Sequence, residues 1–119
     1  MRAAAFLFLL LYASSAGAQR PGPKQLFQDA AQAQQSGNYA LAVTKYQQLI
    51  RLHPDMVAAR ANLGVALVSL GRFDEATEQY RAALKLAPGN HDLRLNLALA
   101  ATMSGWRRMS CWYLVTASA

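Results

Sequence analysis

The side chains that could do chemistry in this chain are two histidines and a single cysteine. His53 precedes a proline and His91 follows an asparagine, and neither has a second histidine, cysteine or carboxylate at metal-ligand spacing on its own predicted helix. Cys111 has no base that the sequence places beside it, as a nucleophilic thiol would require. We therefore predict no metal site, no cofactor and no catalytic residue, and we expect that the protein is not an enzyme.

A short acidic run is the remaining candidate for acid–base work. Asp74, Glu75 and Glu78 fall in the first turns of a predicted helix, where the helix dipole favours negative charge. No glycine-rich loop of the phosphate-binding type precedes a helix. The carboxylates are therefore expected to stabilise the helix.

The first eighteen residues resemble a secretory signal peptide. Met1 and Arg2 are followed by an apolar run over 3–13 and by the small residues Ala16-Gly17-Ala18 at a cleavage position. The run is shorter than the ~20 residues that cross a bilayer as a helix, so no stable membrane anchor is expected after cleavage. We expect a mature protein that begins at Gln19 and is exported, either periplasmic or secreted.

The basic charge of the chain is spread out. The formal net charge is +6, yet Arg107 and Arg108 are the only adjacent pair of basic residues in the expected mature chain. A nucleic-acid surface needs its basic groups gathered along one groove or helix face. We therefore expect no nucleic-acid partner.

One stretch of sequence occurs twice. GNYALAVTKYQQLIRLHP begins at Gly37 and GRFDEATEQYRAALKLAP begins at Gly71, and the distance between these two glycines is called the repeat interval below. Before and after each glycine, apolar residues recur at helical spacing, and each stretch ends at a proline, which stops a helix. The duplicated unit is therefore predicted to be a helical hairpin, with helices at about 24–36, 39–52, 56–70, 73–86 and 91–104.

This pattern resembles the tetratricopeptide repeat family, whose unit is a helix-turn-helix of about 34 residues. The matching positions in the second unit are Leu63, Gly64, Gly71, Phe73, Ala76, Tyr80, Ala83 and Pro88, and in the first unit Ala30, Gly37, Tyr39, Ala42, Tyr46 and Pro54. The resemblance implies an all-α solenoid of helical hairpins, with two full repeats and a partial, degenerate third. Small residues such as Ala42 and Ala76 would let the helices of one hairpin approach closely. The aromatic residues Tyr39, Phe73, Tyr46 and Tyr80 would fill the wider gaps between units.

The expected division of the chain follows from these patterns. It comprises a signal peptide (1–18), a non-helical lead-in (19–22), the repeat domain (23–105) and a divergent tail (106–119). The units of the repeat domain are about 23–56, 57–90 and 91–105.

The tail after Gly105 leaves two interpretations open. Ser110, Leu114 and Ala117 stand where a closing helix needs a small, a large apolar and a small residue, so a short capping helix is one of them. The other is a truncated or frame-shifted remnant. An uncovered third repeat would allow self-association through this end of the array.

The first helices of tetratricopeptide units line a shared concave face, and three amides recur there. Gln28, Asn62 and Asn96 are each separated by one repeat interval, which predicts a row of side chains that could bind the backbone of an extended peptide. The row is similar to the asparagine ladder of the O-linked N-acetylglucosamine transferases; the alternative is a merely solvated polar face. The flanking apolar residues are Phe27, Val65, Leu95 and Leu99.

The function indicated is a non-catalytic protein–protein interaction module that binds a peptide or helix of a partner in this groove. The alternative is an N-terminal fragment of a larger repeat protein, in which the repeats position a functional part that is absent here.

Overall fold

A computed structural model describes residues 20–118 of the protein. Five α-helices account for most of this range, and no strand occurs within it. The helices are α1 (Pro23–Gln35), α2 (Tyr39–Leu52), α3 (Val57–Ser69), α4 (Phe73–Leu86) and α5 (His91–Ala117). The expected signal segment, residues 1–18, lies outside the described residues.

The helix boundaries follow from residues with local conformational preferences. Pro23 occupies the first turn of α1, where a missing N–H removes no helical hydrogen bond. Gly37 and Gly71 have φ angles of 81° and 74°, the left-handed conformation that ends a helix and that glycine adopts without a Cβ clash. Asn38 then caps α2 by accepting a hydrogen bond from the Leu41 amide at 3.3 Å.

Consecutive helices pack against one another along the whole array, α1 with α2 and onward to α4 with α5. This arrangement confirms the predicted all-α architecture of stacked helical hairpins. The core is a continuous row of buried side chains, the largest of which are Tyr46, Tyr80, Leu26, Leu49, Leu63 and Leu67.

The closest packing within the second hairpin is between Gly64 of α3 and Tyr80 of α4. A Cβ atom at position 64 would lie 2.6 Å from Cε1 and Cζ of the Tyr80 ring. The ring therefore lies over the glycine backbone of its own hairpin. The expected close approach of the two helices is present. The Tyr80 ring packs within its own hairpin, whereas the sequence predicted that it would fill the gap between units.

The third repeat has a first helix but no turn at its glycine. Helix α5 continues from His91 to Ala117, and Gly105 is not among the residues with positive φ. The tail, for which a capping helix and a remnant were both open, thus continues the same helix. Its large side chains are exposed: Trp106, Met109, Trp112, Tyr113, Leu114 and Val115 are between 66% and 74% accessible.

Three polar residues of α5 attach it to Gly71 in the turn after α3 and to Asp74 in the first turn of α4. The Ser104 hydroxyl donates a hydrogen bond to Asp74 Oδ1, and Arg107 donates to the Gly71 carbonyl oxygen at 2.6 Å. Arg108 donates to the Ser104 hydroxyl at 3.0 Å and lies 3.4 Å from the Asp74 carboxylate. The straight course of α5 through Gly105 is therefore held by contacts on both sides of the glycine.

Within residues 20–118, no helix combines the length and the apolar character required to span a bilayer.

Candidate peptide-binding groove

Two neighbouring clefts lie along the side of the array to which α1, α3 and α5 contribute. The first has a volume of about 420 Å³ and is enclosed by helices α1, α2 and α3. Its lining residues are Ala31, Gln34, Gln35, Tyr39, Tyr46, Asn62, Val65 and Ser69. Amide and hydroxyl groups line much of this cleft, so it can both donate and accept hydrogen bonds.

The second cleft has a volume of about 200 Å³ and is enclosed by α3, α4 and α5. Its lining residues are Val65, Val68, Ser69, Tyr80, Asn96, Leu99, Ala100 and Met103. Most of these side chains are aliphatic, so this cleft suits an apolar group. Val65 and Ser69 line both clefts, which makes the two clefts parts of one groove.

The two clefts are repeats of one construction. Each is formed by one hairpin and by the first helix of the next unit, with a tyrosine of the hairpin (Tyr46 or Tyr80) and an asparagine of the next helix (Asn62 or Asn96). Their different character comes from substitutions at equivalent positions: Ala31 and Gln34 of the first cleft correspond to Val65 and Val68 of the second. The repeat interval thus builds the groove, and the substitutions make one half polar and the other apolar.

Tyr46 links the first cleft to the core. Its hydroxyl donates a hydrogen bond to Gln34 Oε1 at 3.2 Å, and its ring contacts Phe27 edge to face with centroids 5.8 Å apart. Burial raises the pKa of the Tyr46 phenol, and the polar side chain of Asn62 partly offsets this. Burial also raises the pKa of Tyr80. Both phenols therefore remain neutral at physiological pH.

The amide row predicted from the sequence occupies three different surroundings. Asn62 and Asn96 are half-buried and line the first and second clefts. Gln28 is exposed and lines neither of them. Each cleft takes its asparagine from a helix that follows a hairpin, and within residues 20–118 no hairpin precedes α1.

Of the four apolar residues predicted for the groove, two line the clefts and two do not. Val65 is the wall shared by the two clefts, and Leu99, which is 59% exposed, lines the second. Phe27 is half-buried against Tyr46 inside the first hairpin, and Leu95, which is 62% exposed, lines neither cleft. The structure therefore brings together four of the seven predicted residues: Asn62, Asn96, Val65 and Leu99.

Sequence reasoning missed the residues two helical turns beyond the predicted row. Gln35, Ser69 and Met103 recur at the same repeat interval, and the first two line the first cleft while the last two line the second. Each follows its amide of the row by about two turns of helix and so lies on the same face. Extending the repeated row by two turns would have found all three.

Side chains that could hold a metal ion are not gathered in the described part of the chain. No group of three or more histidine, cysteine or acidic residues within residues 20–118 could do so. Cys111 is exposed on the tail of α5.

Stacked helical hairpins with a concave groove define the class of solenoid-type protein-interaction modules. A family model described as tetratricopeptide repeat matches residues 29–91 and 62–105. The chain belongs to the tetratricopeptide repeat family. This finding confirms the resemblance read from the sequence, and scaffolds of this family are in general non-catalytic.

Solved structures of MamA are similar to this chain. Two structures of MamA AMB-1 superimpose with TM-scores of 0.70 and 0.67 at 29% and 28% identity, and cover 92% and 82% of this chain. A MamA mutant superimposes with a TM-score of 0.68 at 26% identity over 89% of this chain. The chain spans 59%, 57% and 56% of those three proteins, respectively, so it corresponds to somewhat more than half of a MamA chain.

Proposed function

We propose that the protein is a non-catalytic interaction module that binds an extended peptide segment of a partner protein along the groove of α1, α3 and α5. The single observation that carries this proposal is the repeated cleft, with an asparagine at one wall of each and Val65 between them. Such a groove offers hydrogen bonds to a peptide backbone at two points one unit apart.

The two halves of the groove imply a preference in the peptide. The first cleft exposes amides and hydroxyls, whereas the second exposes Val68, Leu99 and Met103. A peptide with a polar stretch followed or preceded by one large aliphatic or aromatic side chain would satisfy both halves. The apolar side chain would fill the 200 Å³ cleft.

The proposal can be tested with a display library of random peptides selected on the full chain. Affinities of the selected peptides are then measured by fluorescence anisotropy. Asn62→Ala combined with Asn96→Ala removes two hydrogen-bonding side chains, each worth about 0.5–1.5 kcal/mol, and should weaken binding roughly tenfold. Val65→Glu should weaken binding further, because it places a charge in the wall common to both clefts.

A matched control separates a groove effect from a general effect of charge. Leu52→Glu makes the same kind of change at a side chain that is 59% exposed at the end of α2 and lines neither cleft. Affinity should then be unchanged, and circular dichroism should show equal helicity for all variants. If the selected peptides bind the Val65→Glu protein as tightly as the unmodified protein, the groove is not the binding site.

We also propose that the protein acts after export. The support is the sequence pattern of residues 1–18 alone, a charged start, an apolar run and small residues before Gln19. Mass spectrometry of the protein recovered from an exporting bacterium tests this directly. A chain that begins at Gln19 is expected, and one that begins at Met1 would contradict the proposal.

A further inference from the structure

Helix α5 packs on the repeat domain by one side only. Its buried residues are Leu93, Ala100 and Ser104, whose spacing puts them on a single helical face. Arg107 and Arg108 continue this side to the turn between α3 and α4. Leu95 follows Leu93 by two residues, about 200° around the helix axis, so it begins the opposite side.

That opposite side carries a heptad pattern along the whole helix. Its positions are separated alternately by four and three residues, the spacing at which two helices form a coiled coil. They are Leu95, Leu99, Thr102, Trp106, Met109, Tyr113 and Thr116, called the α5 seam below. All seven are exposed, and the five large side chains are between 59% and 74% accessible.

The tail cannot cover the seam of its own chain while α5 is straight. Residues 106–117 extend along the helix axis for about 18 Å beyond Gly105, at ~1.5 Å per residue. Folding the tail back as a closing helix would require a turn at Gly105. It would also separate Arg107 from the Gly71 carbonyl and Arg108 from Ser104. Within the described residues 20–118, no other helix is left to cover the seam while these contacts stay intact.

We propose that the occupant is the α5 helix of a second copy of this chain, and that the two helices pair antiparallel through their seams. The two-fold axis lies at the level of Ser104. Leu95 then lies opposite Tyr113 of the second copy, Leu99 opposite Met109, and Thr102 opposite Trp106. Because the seam, apart from Leu99, faces away from α3 and α4, the two repeat domains lie on opposite sides of the helix pair.

The antiparallel orientation follows from the sizes of the seam residues. A parallel pair would place identical residues opposite each other, with Trp106 against Trp106 and Tyr113 against Tyr113. The antiparallel pair places the small Thr102 against Trp106 and the aliphatic Leu95 against Tyr113, so no two aromatic rings of the seam lie directly opposite each other. A two-fold contact uses the seam of both copies, and no further copy can add by the same contact.

The dimer contact and the groove have one residue in common. Leu99 is the one seam residue that also lines the second cleft, whereas Met109 and Tyr113 lie beyond the groove. Substitutions at Met109 and Tyr113 therefore test the dimer and leave every lining residue of the two clefts unchanged.

The first test compares two exposed residues of the tail by light scattering during gel filtration. The full chain, produced in an exporting bacterium and purified as it accumulates, is expected to be a dimer. Met109→Asp places a charge in the seam and should raise the dimer dissociation constant by at least about tenfold. Val115→Asp is the control, because Val115 is equally accessible at 69% and lies outside the seam. It should leave the dissociation constant unchanged. A monomeric unmodified chain, or equal loss of dimer in both variants, would overturn the proposal.

The second test identifies the orientation of the pair. In a chain with Cys111→Ser, Leu99→Cys and Met109→Cys are combined, and the protein is oxidised and run on a non-reducing gel. The proposed pairing predicts a covalent dimer, because each thiol at 99 meets the thiol at 109 of the second copy. The two thiols of one chain are about 15 Å apart along α5, too far for an internal disulfide.

The single variants Leu99→Cys and Met109→Cys serve as controls. Each should stay uncrosslinked, since identical positions lie on opposite sides of the two-fold axis. Crosslinked single variants would show a parallel pair, and no disulfide in the double variant would show that the two positions do not meet. Either result overturns the proposal.

Discussion

The second hairpin, α3 and α4, corresponds in sequence to the two halves of α5, one repeat interval later. Residues of similar type at corresponding positions have different surroundings in the two regions. Tyr80 is 2% accessible, and its counterpart Leu114 is 70% accessible. Gly64 lies under an aromatic ring, and its counterpart Ala98 is exposed. The repeat pattern therefore predicts which face of a helix can be buried. The face is buried only where the chain turns at the glycine and the second helix packs back on the first.

The difference between the regions is concentrated at one glycine. Gly71 has a φ of 74° and is followed by α4, whereas Gly105 lies inside a helix of 27 residues. Asp74 and the Gly71 carbonyl accept hydrogen bonds from Ser104, Arg107 and Arg108. Contacts with the second hairpin thus stabilise the third unit as one continuous helix.

The largest expected effect is on the free energy of unfolding, and it should differ between Tyr80 and its counterpart Leu114. Tyr80→Ala removes a buried aromatic ring from the hairpin and should lower the free energy of unfolding by about 3–5 kcal/mol, the usual range for an aromatic side chain cut to alanine in a core. Leu114→Ala should change it by less than ~0.5 kcal/mol when the chain is dilute enough to be monomeric, because Leu114 is exposed.

Urea denaturation followed by circular dichroism measures both values. Equal losses of stability in the two variants would mean that the tail is packed against its own chain in solution, and the contrast between the regions would disappear.

The sequence was sufficient to predict the fold, and the reasons lie in local signals. The proline before Lys24, the glycines at 37 and 71 and the apolar spacing between them each act over a few residues, and the structure has helices between the same signals. The family match over residues 29–105 agrees with that interpretation. The helix boundaries do not test the division of the chain into signal peptide, repeat units and tail, which stays a prediction.

The groove was less predictable than the fold. Asn62 and Asn96 share one periodic row with Gln28, yet a cleft forms only where a hairpin precedes the amide, and no pattern at Gln28 itself carries that information. Phe27 was predicted to line the groove because of its position in the repeat. Its ring instead packs edge to face against Tyr46, a contact that the repeat position does not indicate. The path of α5 through Gly105 likewise depends on side chains from another hairpin, which a local rule for glycine does not include.

A smaller effect is expected at the closest contact of the second hairpin. Gly64→Ala introduces a Cβ atom 2.6 Å from the Tyr80 ring, so the two helices must separate. Overpacking of this kind costs about 1–3 kcal/mol, and the better helix propensity of alanine returns ~1 kcal/mol, which leaves a net loss of roughly 0–2 kcal/mol.

The double variant Gly64→Ala with Tyr80→Leu tests the cause of that loss. A smaller side chain at 80 provides space for the added methyl group, so the cost of Gly64→Ala should fall in the Tyr80→Leu background. A cost that is the same in both backgrounds would show that the ring is not what excludes the methyl group.

The smallest expected effect is a gain in stability at Gly105, the glycine at which the second hairpin and α5 differ. A Cβ atom at Gly105 would meet nothing within 4 Å, and the residue lies in the interior of α5. Gly105→Ala should therefore stabilise the helix by about 0.5–1 kcal/mol, the usual difference between these residues in a helix interior. At Gly71 the same substitution should destabilise the protein by a similar or larger amount, because alanine is strained at a φ of 74°.

Thermal unfolding of the two variants side by side measures both signs. If Gly105→Ala lowers the melting temperature as Gly71→Ala does, position 105 adopts a turn in solution and the third unit closes like the second. Opposite signs mean that a continuous α5 is the stable state, and only a continuous α5 keeps the residues before and after Gly105 on one straight seam that a second copy can cover.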